Sequence, residues 1–503
     1  MAELFRRLTA DVRDDAPFIL AGDRRITYRE MYALTAEIAA ALVALGVKPG
    51  DRVAVQIEKS VEGLLLYLAT IRVGGVFLPL NTAYTGAELE YFLQDAEPVL
   101  FVCDPARSDA LAPIAEKAGV TQLETLGADG NGSLADEIAA APVDGFREVA
   151  RDPDDLAAIL YTSGTTGRSK GAMITHENLA SNAEALAEIW RFTASDVLLH
   201  ALPIFHVHGL FTATNTLLKA GGSMIFLPKF DVDEVIRRMP EATAMMGVPT
   251  FYSRLLGSDA FTRELTSGMR LFVSGSAPLS PETHKAFSAR TGQAILERYG
   301  MTETSMITSN PYDGPRKPGT VGLPLPDVSV RIADPETGTP IEDGEVGVIE
   351  VKGPNVFKGY WKKPEKTAEE FRVDGFFITG DLGYVDPDGY ICIAGRAKDL
   401  VISGGFNVYP AEVEALIDAL PGVKESAVIG LPHADFGEGV TAVIAVKPGT
   451  SVSEDDVRAG LSGSLAAFKI PKRVVTVDEL PRNTMGKIQK AALREIYKDL
   501  YAS

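Results

Sequence analysis

Apolar and polar residues alternate along the chain with two periods, one typical of buried β-strands and one typical of amphipathic helices. Short apolar runs such as "RVAVQIE", "LAAILYT" and "LFVSGSAPL" predict strands. The helical patterns that come after them are "SVEGLLLYLATIRVG", "HENLASNAEALAEIW" and "SPETHKAFSAR". This alternation predicts α/β units with parallel sheets.

The pattern changes near Gly314, where Gly and Pro separate short strand-like runs such as "VSVRIAD", "EVGVIEVKG" and "GYICIAG". These runs predict an antiparallel or barrel-like subdomain. The C-terminal stretch returns to an α+β pattern, with "PAEVEALIDAL" followed by "ESAVIGLP" and "VTAVIAVKP". Because 503 residues exceed what one core organises, we expect several packed subdomains.

Composition and charge exclude several classes of protein. The net charge of −19 argues against a nucleic-acid partner, because a phosphate backbone would be repelled. The N-terminal stretch contains acidic residues, and no apolar run is long enough to span a membrane, so we expect a soluble cytoplasmic protein without a membrane partner. Cys103 and Cys392 each lie in an apolar run, which predicts core packing in a reducing compartment.

A loop rich in Gly, Ser and Thr, "LYTSGTTGRSKG", follows the predicted strand "LAAILYT". It is not a Walker phosphate loop, because Lys170 follows Ser169 rather than Gly. Its backbone N–H groups, hydroxyls and ammonium suit a polyphosphate, and a helix is expected to follow with Thr175 as its N-cap. An ordinary surface loop is the alternative. The predicted phosphate ligands are Thr162, Ser163, Gly164, Thr165, Thr166, Gly167 and Lys170.

Four further stretches point to a nucleotide. In "ERYGMTET", Glu303 is a hard oxygen ligand suited to Mg²⁺, and Tyr299 offers a flat surface to a purine. In "FFITGDLG", Asp381 follows a short apolar run, where a carboxylate accepts hydrogen bonds from ribose hydroxyls. The remaining predicted nucleotide or channel residues come from three stretches, "ERYGMTET", "GRAKDLVISGGFNVYP" and "LPRNTMGKIQK". They are Thr302, Arg396, Ser403, Gly404, Gly405 and Lys487.

These motifs together, in their order and spacing, resemble the adenylate-forming acyl-CoA synthetase superfamily. The resemblance runs from about "ITYREMYALT" to Lys487. It implies a large N-terminal domain, residues 1–397, of two α/β subdomains and a β-barrel, and a small mobile α+β C-terminal domain, residues 398–503. It also implies ATP, Mg²⁺ and coenzyme A, and a domain rotation hinged at Lys398 between two half-reactions.

The resemblance assigns roles to the remaining residues. Lys487 bridges the substrate carboxylate and the α-phosphate, and it is a possible target of a lysine acetyltransferase. Gly404 and Gly405 allow close approach to the pantetheine channel. His206 gates the acyl and thiol channel. His206 and His208, two positions apart, would share one face of a strand, but a metal site there is disfavoured without a third ligand, and the role of His208 stays open.

Two arginines indicate the acid. Arg298 precedes the Tyr of "YGMTE", and Arg254 lies in "GVPTFYSRLL". The superfamily places both at the acyl pocket, where buried guanidinium groups favour a second carboxylate. The pattern resembles short dicarboxylic acid CoA ligases of the malonyl-CoA and methylmalonyl-CoA synthetase type, with Met306 capping a short pocket. The alternative is that either arginine pairs with a neighbouring acid such as Glu297.

Rival functions remain open at this stage. The chain is expected to convert malonate or methylmalonate to the CoA thioester, releasing AMP and pyrophosphate. The alternatives are a ligase for short monocarboxylates or oxalate, or an adenylation enzyme that loads a separate carrier protein. A non-catalytic nucleotide-binding homologue is disfavoured because Lys487, Glu303, Asp381 and Arg396 are all present.

Overall fold

The architecture was analysed on a computed structural model that describes residues 3–143, 146–162, 169–433, 435–483 and 486–502. Its strands, numbered along the chain, are β1 (Pro17–Ala21), β2 (Arg24–Thr27), β3 (Arg52–Gln56), β4 (Val76–Pro79), β5 (Leu100–Cys103), β6 (Gln122–Thr125), β7 (Leu156–Thr162), β8 (Lys170–Thr175), β9 (Val197–His200), β10 (Ser223–Phe226), β11 (Ala244–Gly247), β12 (Leu271–Ser274), β13 (Leu296–Met301), β14 (Ser305–Ser309), β15 (Leu323–Pro324), β16 (Ser329–Ala333), β17 (Gly347–Lys352), β18 (Phe377–Val385), β19 (Ile391–Arg396), β20 (Val401–Ser403), β21 (Phe406–Val408), β22 (Val423–His433), β23 (Gly437–Val446) and β24 (Arg473–Val477).

The helices lie between these strands, mostly as crossover connections. They are α1 (Glu3–Thr9), α2 (Tyr28–Ala44), α3 (Val61–Arg72), α4 (Gly86–Ala96), α5 (Ser108–Lys117), α6 (Ser133–Ala140), α7 (His176–Ile189), α8 (Thr214–Ala220), α9 (Val232–Arg238), α10 (Pro249–Leu256), α11 (Pro281–Thr291), α12 (Pro364–Glu369), α13 (Pro410–Asp418), α14 (Glu454–Leu461) and α15 (Lys490–Tyr497). Short 3₁₀ turns cover Pro105–Arg107, Met239–Glu241, Ala397–Asp399 and Ala467–Lys469, and a π-helix covers His208–Ala213.

Two large sheets form the N-terminal part of the molecule. One has nine strands in the order β15-β14-β13-β12-β11-β9-β10-β1-β2, and the other has six in the order β6-β5-β3-β4-β7-β8. The central strands pair in parallel. Antiparallel strands occupy both edges of the nine-stranded sheet and the β8 edge of the six-stranded sheet, whereas its β6 edge is parallel. The strand and helix alternation therefore folds into parallel-rich sheets with crossover helices, as predicted.

The loop "TSGTTGRSK" connects two antiparallel strands. β7 and β8 pair with Thr162 opposite Lys170, so the loop closes a hairpin instead of leading directly to a helix. Helix α7 begins after β8, and the Thr175 side chain caps it by accepting a hydrogen bond from the Asn178 N–H, as predicted. The hairpin fixes both ends of the loop at the edge of the six-stranded sheet.

A third, four-stranded sheet has the order β16-β17-β18-β19 with antiparallel pairing throughout. It matches the predicted antiparallel subdomain, but the pairing of the described strands does not form a closed barrel. The C-terminal part is a separate sheet, β21-β20-β23-β22 with β24 parallel to β23, covered by α13, α14 and α15. A large α/β N-terminal domain and a small α+β C-terminal domain are thus confirmed.

The hydrophobic cores also change between β19 and β20. The buried clusters of the large domain end at Ile391, whereas the clusters of the small domain begin at Val401. The turn Ala397–Asp399, which contains Lys398, lies between them. Cys103 and Cys392 are buried and unbridged, in agreement with core packing. Within the described ranges no helix has both the length and the apolar character that a bilayer crossing requires.

Candidate active site

Two side chains, one from the nine-stranded sheet and one from the four-stranded sheet, meet at the carboxylate of Asp381. Asp381 lies inside β18, not after a strand as expected, and is buried. Its Oδ1 accepts an ion-pair contact from Arg396 Nε at 2.7 Å, and its Oδ2 accepts a hydrogen bond from the Tyr299 hydroxyl at 2.5 Å. Burial raises the pKa of Asp381, and the positive charge of Arg396 opposes that rise. Motifs far apart in sequence therefore form one cluster.

Glu303 lies in the turn between β13 and β14 together with Thr302, and is buried. Its Oε1 contacts the hydroxyl of Tyr360 at 3.1 Å and that of Thr162 at 3.3 Å. Burial raises the pKa of Glu303. A buried carboxylate whose neighbours are neutral hydroxyls has spare acceptor capacity for a hard cation. Among the described residues no group of three or more His, Cys, Asp or Glu side chains is arranged as a metal site.

Lys487 of the small domain reaches this cluster. Burial and the charge of Arg396 lower the pKa of its ammonium, while Asp381 and Glu303 act in the opposite sense and Arg298 lowers it further. By its solvent-accessible surface the residue as a whole is nevertheless exposed. The ammonium thus lies within electrostatic reach of two predicted nucleotide ligands, the predicted metal ligand and the predicted acid ligand.

The backbone around Lys487 holds the side chain in place. The Lys487 N–H donates to Asn483 Oδ1 at 3.0 Å, and the Asn483 N–H donates to the Lys487 carbonyl at 2.9 Å. Gly486 has a φ of +74° and faces Thr250 at the start of α10 in the large domain. This small hydrogen-bonded turn therefore docks the C-terminal domain against the N-terminal one.

Arg298 is fully enclosed beside the cluster. Its Nε and Nη2 have no hydrogen-bond partner among the described residues, and burial lowers the pKa of the guanidinium. A Cβ at Gly275 would collide with its Cζ, so only glycine fits beneath the guanidinium. Glu297 does not pair with it, because consecutive residues of β13 point to opposite faces. Arg298 is therefore a buried cation with vacant donors.

Arg254 and Met306 differ in burial. Arg254 lies on α10 and is exposed, so the described structure does not enclose it together with Arg298. The two-arginine pocket and the contact of Arg254 with substrate stay predictions. Met306 on β14 is buried, with its side chain against Gly300.

The two histidines do not lie on a strand, contrary to the expectation. His208 begins the π-helix His208–Ala213, and His206 lies in the turn before it. His208 Nδ1 is 3.2 Å from Ser276 Oγ, and the Nε2 atoms of both histidines have no partner among the described residues. Burial lowers the pKa of His206 to about 3, with Lys487 contributing, and lowers that of His208 well below its ordinary value. Both rings are neutral at physiological pH.

Sequence reasoning missed Gly275 and Ser276, which follow β12 in "VSGSAPL". Ser276 has a φ of +71°, a left-handed conformation that non-glycine residues seldom adopt. It turns the backbone so that Gly275 lies beneath Arg298 and Ser276 reaches His208. A Gly-Ser pair directly after a buried strand was the available signal.

The phosphate loop is described only at its ends. Ser163, Gly164, Thr165, Thr166 and Gly167 lie outside the described residues, so their predicted contacts stay predictions. Thr162 contacts Glu303, and the Lys170 ammonium forms an ion pair of 3.0 Å with Glu370. Glu370 and Tyr360 were also missed by sequence reasoning, because "GYWKKPEKTAEEF" shows no recognisable ligand spacing.

The "SGGF" hairpin lies in the small domain. Gly404 and Gly405 have φ values of +60° and +83°, which the tight turn from β20 to β21 requires. The buried Ser403 hydroxyl has no partner among the described residues. Lys398 is close enough to Asp381 for its charge to lower the pKa of that carboxyl. The role of the hairpin in a thiol channel stays a prediction.

The AMP-binding enzyme model matches residues 7–361, and the AMP-binding enzyme C-terminal domain model matches residues 412–487. The chain is 37% identical over 522 residues to malonate–CoA ligase ACSF3, mitochondrial, of Mus musculus, covering 95% of this chain and 87% of the relative. It is 34% identical over 502 residues to oxalate–CoA ligase of Arabidopsis thaliana, covering 97% of each.

Solved structures give a closer match. ATP-bound MatB from Rhodopseudomonas palustris is 62% identical, with a TM-score of 0.97 over 99% of both chains. Apo MatB from the same organism, at the same identity and coverage, has a TM-score of 0.86. The chain therefore superposes more closely on the ATP-bound form than on the ligand-free form.

Proposed function

Because this chain belongs to the AMP-binding enzyme family, we propose that it is an AMP-forming ligase that converts malonate, ATP and coenzyme A to malonyl-CoA, AMP and pyrophosphate. Similarity to the malonate–CoA ligase of mouse and to MatB supports the acid. Methylmalonate is included as a substrate, because one methyl group changes binding in a pocket by only about 1–3 kcal/mol.

The observation that supports this function most strongly is the position of Lys487. Its ammonium lies among Asp381, Glu303 and Arg298, although it comes from the other domain. The first half-reaction joins two anions, the carboxylate of malonate and the α-phosphate of ATP. A cation between them stabilises the charge that develops as they approach. The lysine is therefore assigned to positioning and charge stabilisation.

Each half-reaction transfers one group. In the first, a carboxylate oxygen forms a bond to the α-phosphorus, and the bond to the leaving pyrophosphate breaks. The carboxylate is ionised at neutral pH, so no general base is needed. In the second, the thiol sulfur of coenzyme A forms a bond to the acyl carbon, the bond to AMP breaks, and the thiol proton leaves to solvent.

The nucleotide would be held by Asp381 and Tyr299 at the ribose and purine, with Arg396 beside them. Mg²⁺ fits Glu303, since that buried carboxylate contacts the neutral hydroxyls of Thr162 and Tyr360. When bound, Mg²⁺ would neutralise negative charge on the phosphates. Lys170 and Thr162 are assigned to the phosphates at the same side of the site.

The distal carboxylate of malonate is assigned to Arg298. A buried guanidinium with vacant Nε and Nη2 donors requires an anion, and a carboxylate matches its geometry. Met306 is assigned to the end of a short pocket and His206 to the channel. Arg254 is retained as a second ligand that would have to turn inward from its exposed position.

We assign the domain boundary to the turn Ala397–Asp399, with residues 1–397 and 398–503 as the two domains. Separate hydrophobic cores on either side support it. Rotation about Lys398 would withdraw Lys487 and bring Ser403, Gly404 and Gly405 to the thiol channel. Acetylation of Lys487 by a lysine acetyltransferase would block the first half-reaction. The predicted cytoplasmic location stays a prediction, since the mouse relative is described as mitochondrial.

A substrate screen tests this function. AMP release with malonate, methylmalonate, oxalate, succinate and propionate is measured with and without coenzyme A, and the acyl-CoA is identified by mass. We expect malonate or methylmalonate to give the highest kcat/KM and to require coenzyme A. Preference for oxalate or propionate would assign a different acid, AMP formation without thioester would indicate a carrier-loading enzyme, and inactivity with every acid would indicate a non-catalytic homologue.

A further inference from the structure

Four side chains form a continuous series of contacts between the phosphate loop and the predicted metal ligand. Lys170 Nζ lies 3.0 Å from Glu370 Oε1. The Tyr360 hydroxyl lies 2.6 Å from Glu370 Oε2 and 3.1 Å from Glu303 Oε1. Lys170 thus connects to Glu303 through Glu370 and Tyr360, neither of which has a role in the function proposed above.

The backbone places these residues side by side. Lys170 begins β8, and the Trp361 N–H donates to the Gly171 carbonyl at 2.8 Å, so the segment with Tyr360 runs along that strand. Glu370 directly follows α12, and the Tyr360 N–H donates to Thr367 Oγ1 of that helix at 2.9 Å. Helix α12 is therefore fixed to the strand that leaves the phosphate loop.

Lys170 is a buried cation that depends on Glu370. Its side chain is 9% exposed, and the ammonium lies 4.2 Å from the centre of the Tyr360 ring. A buried ammonium without an anionic partner is unfavourable. An ammonium has three N–H donors, so the bond to Glu370 leaves others for a phosphate. Glu370 can therefore fix the direction of Lys170 without excluding a ligand.

Glu370 is itself held as an anion. Burial alone would raise its pKa, but hydrogen bonds from Tyr360 and Lys170 keep the pKa below its ordinary value. Lys366 adds a third contact at 3.2 Å. Tyr360 has one hydroxyl hydrogen, and its shorter contact is with Glu370, so Glu303 retains acceptor capacity.

We infer that Glu370 is a positioning residue for the first half-reaction: it directs the Lys170 ammonium toward the polyphosphate of ATP beside Glu303. The inference rests on the proposed function, because it assigns the phosphate side of that same site. Glu370 acts through Lys170 and does not itself contact substrate. Its removal should therefore affect ATP and not the acid.

The test begins with Glu370→Gln, which keeps the size of the side chain and an acceptor for Tyr360 but removes the charge. We expect KM for ATP to rise about tenfold, because a charge-assisted hydrogen bond becomes a neutral one. In the same variant, KM for malonate should change by less than about threefold. The matched control is Glu369→Gln, since Glu369 is an exposed neighbour that contacts Lys366 at 2.9 Å. The control should keep the parental KM for ATP.

A double-mutant cycle separates positioning from a structural role. Lys170→Ala removes the group through which Glu370 is inferred to act. In the Lys170→Ala background, Glu370→Gln should change KM for ATP less than about twofold, because no ammonium remains to be held. A tenfold effect that persists without Lys170 would mean that Glu370 supports the fold or acts by another route, and would overturn the inference.

Two further results would also overturn it. An unchanged or lowered KM for ATP in Glu370→Gln would show that Glu370 does not position Lys170 or competes with ATP for it. Equal losses for ATP and malonate would indicate a general structural defect. If the parent makes no malonyl-CoA, the proposed function fails, but calorimetric ATP binding across the same four variants still decides whether Glu370 acts through Lys170.

Discussion

The hydroxyl of Tyr299 donates a hydrogen bond of 2.5 Å to Oδ2 of Asp381, while Arg396 contacts Oδ1 of the same carboxylate at 2.7 Å. Each carboxylate oxygen can accept more than one hydrogen bond, so both retain capacity for ribose hydroxyls. Tyr299 and Arg396 thereby orient the carboxylate before a nucleotide binds. The hydrogen bond also brings a residue of "YGMTE" and one of "TGD" into direct contact.

The nucleotide assignment predicts an effect on ATP alone. Asp381→Ala should raise KM for ATP at least tenfold, since it removes ribose contacts and leaves Arg396 without its partner. Tyr299→Phe keeps the ring but removes the hydroxyl, and should raise KM for ATP only a few-fold. Steady-state kinetics with ATP varied at saturating malonate gives both values. A larger effect on malonate than on ATP would contradict the assignment.

The position of Lys487 predicts a split between the half-reactions. Lys487→Ala should lower malonyl-AMP formation by about 10²–10³-fold, because it removes a preorganised charge between two anions. Thioester formation from supplied malonyl-AMP should be much less affected, since the lysine is assigned to the first step only. Single-turnover measurements of each step provide the comparison, and equal losses in both steps would refute the two-conformation assignment.

Acetylation of Lys487 should have the same effect as the alanine substitution. It removes the charge while adding bulk, and Lys487 is exposed to solvent. Chemically installed acetyl-lysine at this position, compared with the same modification at Lys490, gives the measurement. Loss of the first half-reaction is expected only for the modification at Lys487.

The metal assignment predicts that activity requires Mg²⁺ and that Glu303 controls this requirement. Glu303→Gln should raise the Mg²⁺ concentration for half-maximal activity and lower kcat, because an amide oxygen is a weaker ligand for a hard divalent ion. Activity is measured against free Mg²⁺ at constant ATP. Full activity in excess chelator, or an unchanged Mg²⁺ requirement in the variant, would contradict the assignment.

Much of this arrangement could be predicted from sequence where a local pattern sets the structure. The spacing of apolar residues predicted the strand β7 and the helix α7, and the capping preference of threonine predicted the Thr175 cap. Burial and hydrogen bonding within a short segment determine these features. The pattern could not show that β8 intervenes between the loop and α7. A short apolar run is compatible either with a strand or with the segment that leads into a helix.

The residues that the sequence did not predict depend on distant contacts. Within the π-helix that begins at His208, a Cβ at Gly209 would collide with the backbone carbonyl of Pro203. Glu370 is 200 residues from Lys170 in the chain, so their ion pair exists only in the folded state. Arg254 matched the expected motif, yet its place on the outer side of α10 was set by packing of the helix.

Glu297 predicts a pH dependence of stability. Burial raises its pKa from 4.5 to about 8, and its Oε1 has no partner among the described residues. The folded state therefore binds the proton more tightly than the unfolded state. This difference in proton binding at Glu297 stabilises the folded state fully below pH 4.5, and the stabilisation is lost as the pH rises toward about 8. The loss at pH 7 is on the order of 3 kcal/mol.

Glu297→Gln should remove most of this loss. Between pH 5 and pH 8 its melting temperature should fall less than that of the parent, since a neutral amide has no proton to release. Glu116→Gln, an exposed substitution on α5, is the control and should follow the parent. Parallel curves for the parent and Glu297→Gln would show that Glu297 does not titrate in this range.

The final prediction concerns Arg298 and Arg254, which the structure places in different environments. Arg298 is buried with vacant donors, so Arg298→Ala should lower kcat/KM for malonate about 10- to 100-fold, corresponding to about 1.5–3 kcal/mol for a charge-assisted pair. Propionate, which leaves the guanidinium unpaired, should lose far less, and its kcat/KM relative to malonate should rise.

Arg254→Ala should lower malonate activity by less than Arg298→Ala because Arg254 is exposed. If both arginines share the distal carboxylate, the double variant should be less than additive. Equal losses for both acids in Arg298→Ala would remove the dicarboxylate assignment and favour a general short-chain acyl-CoA ligase.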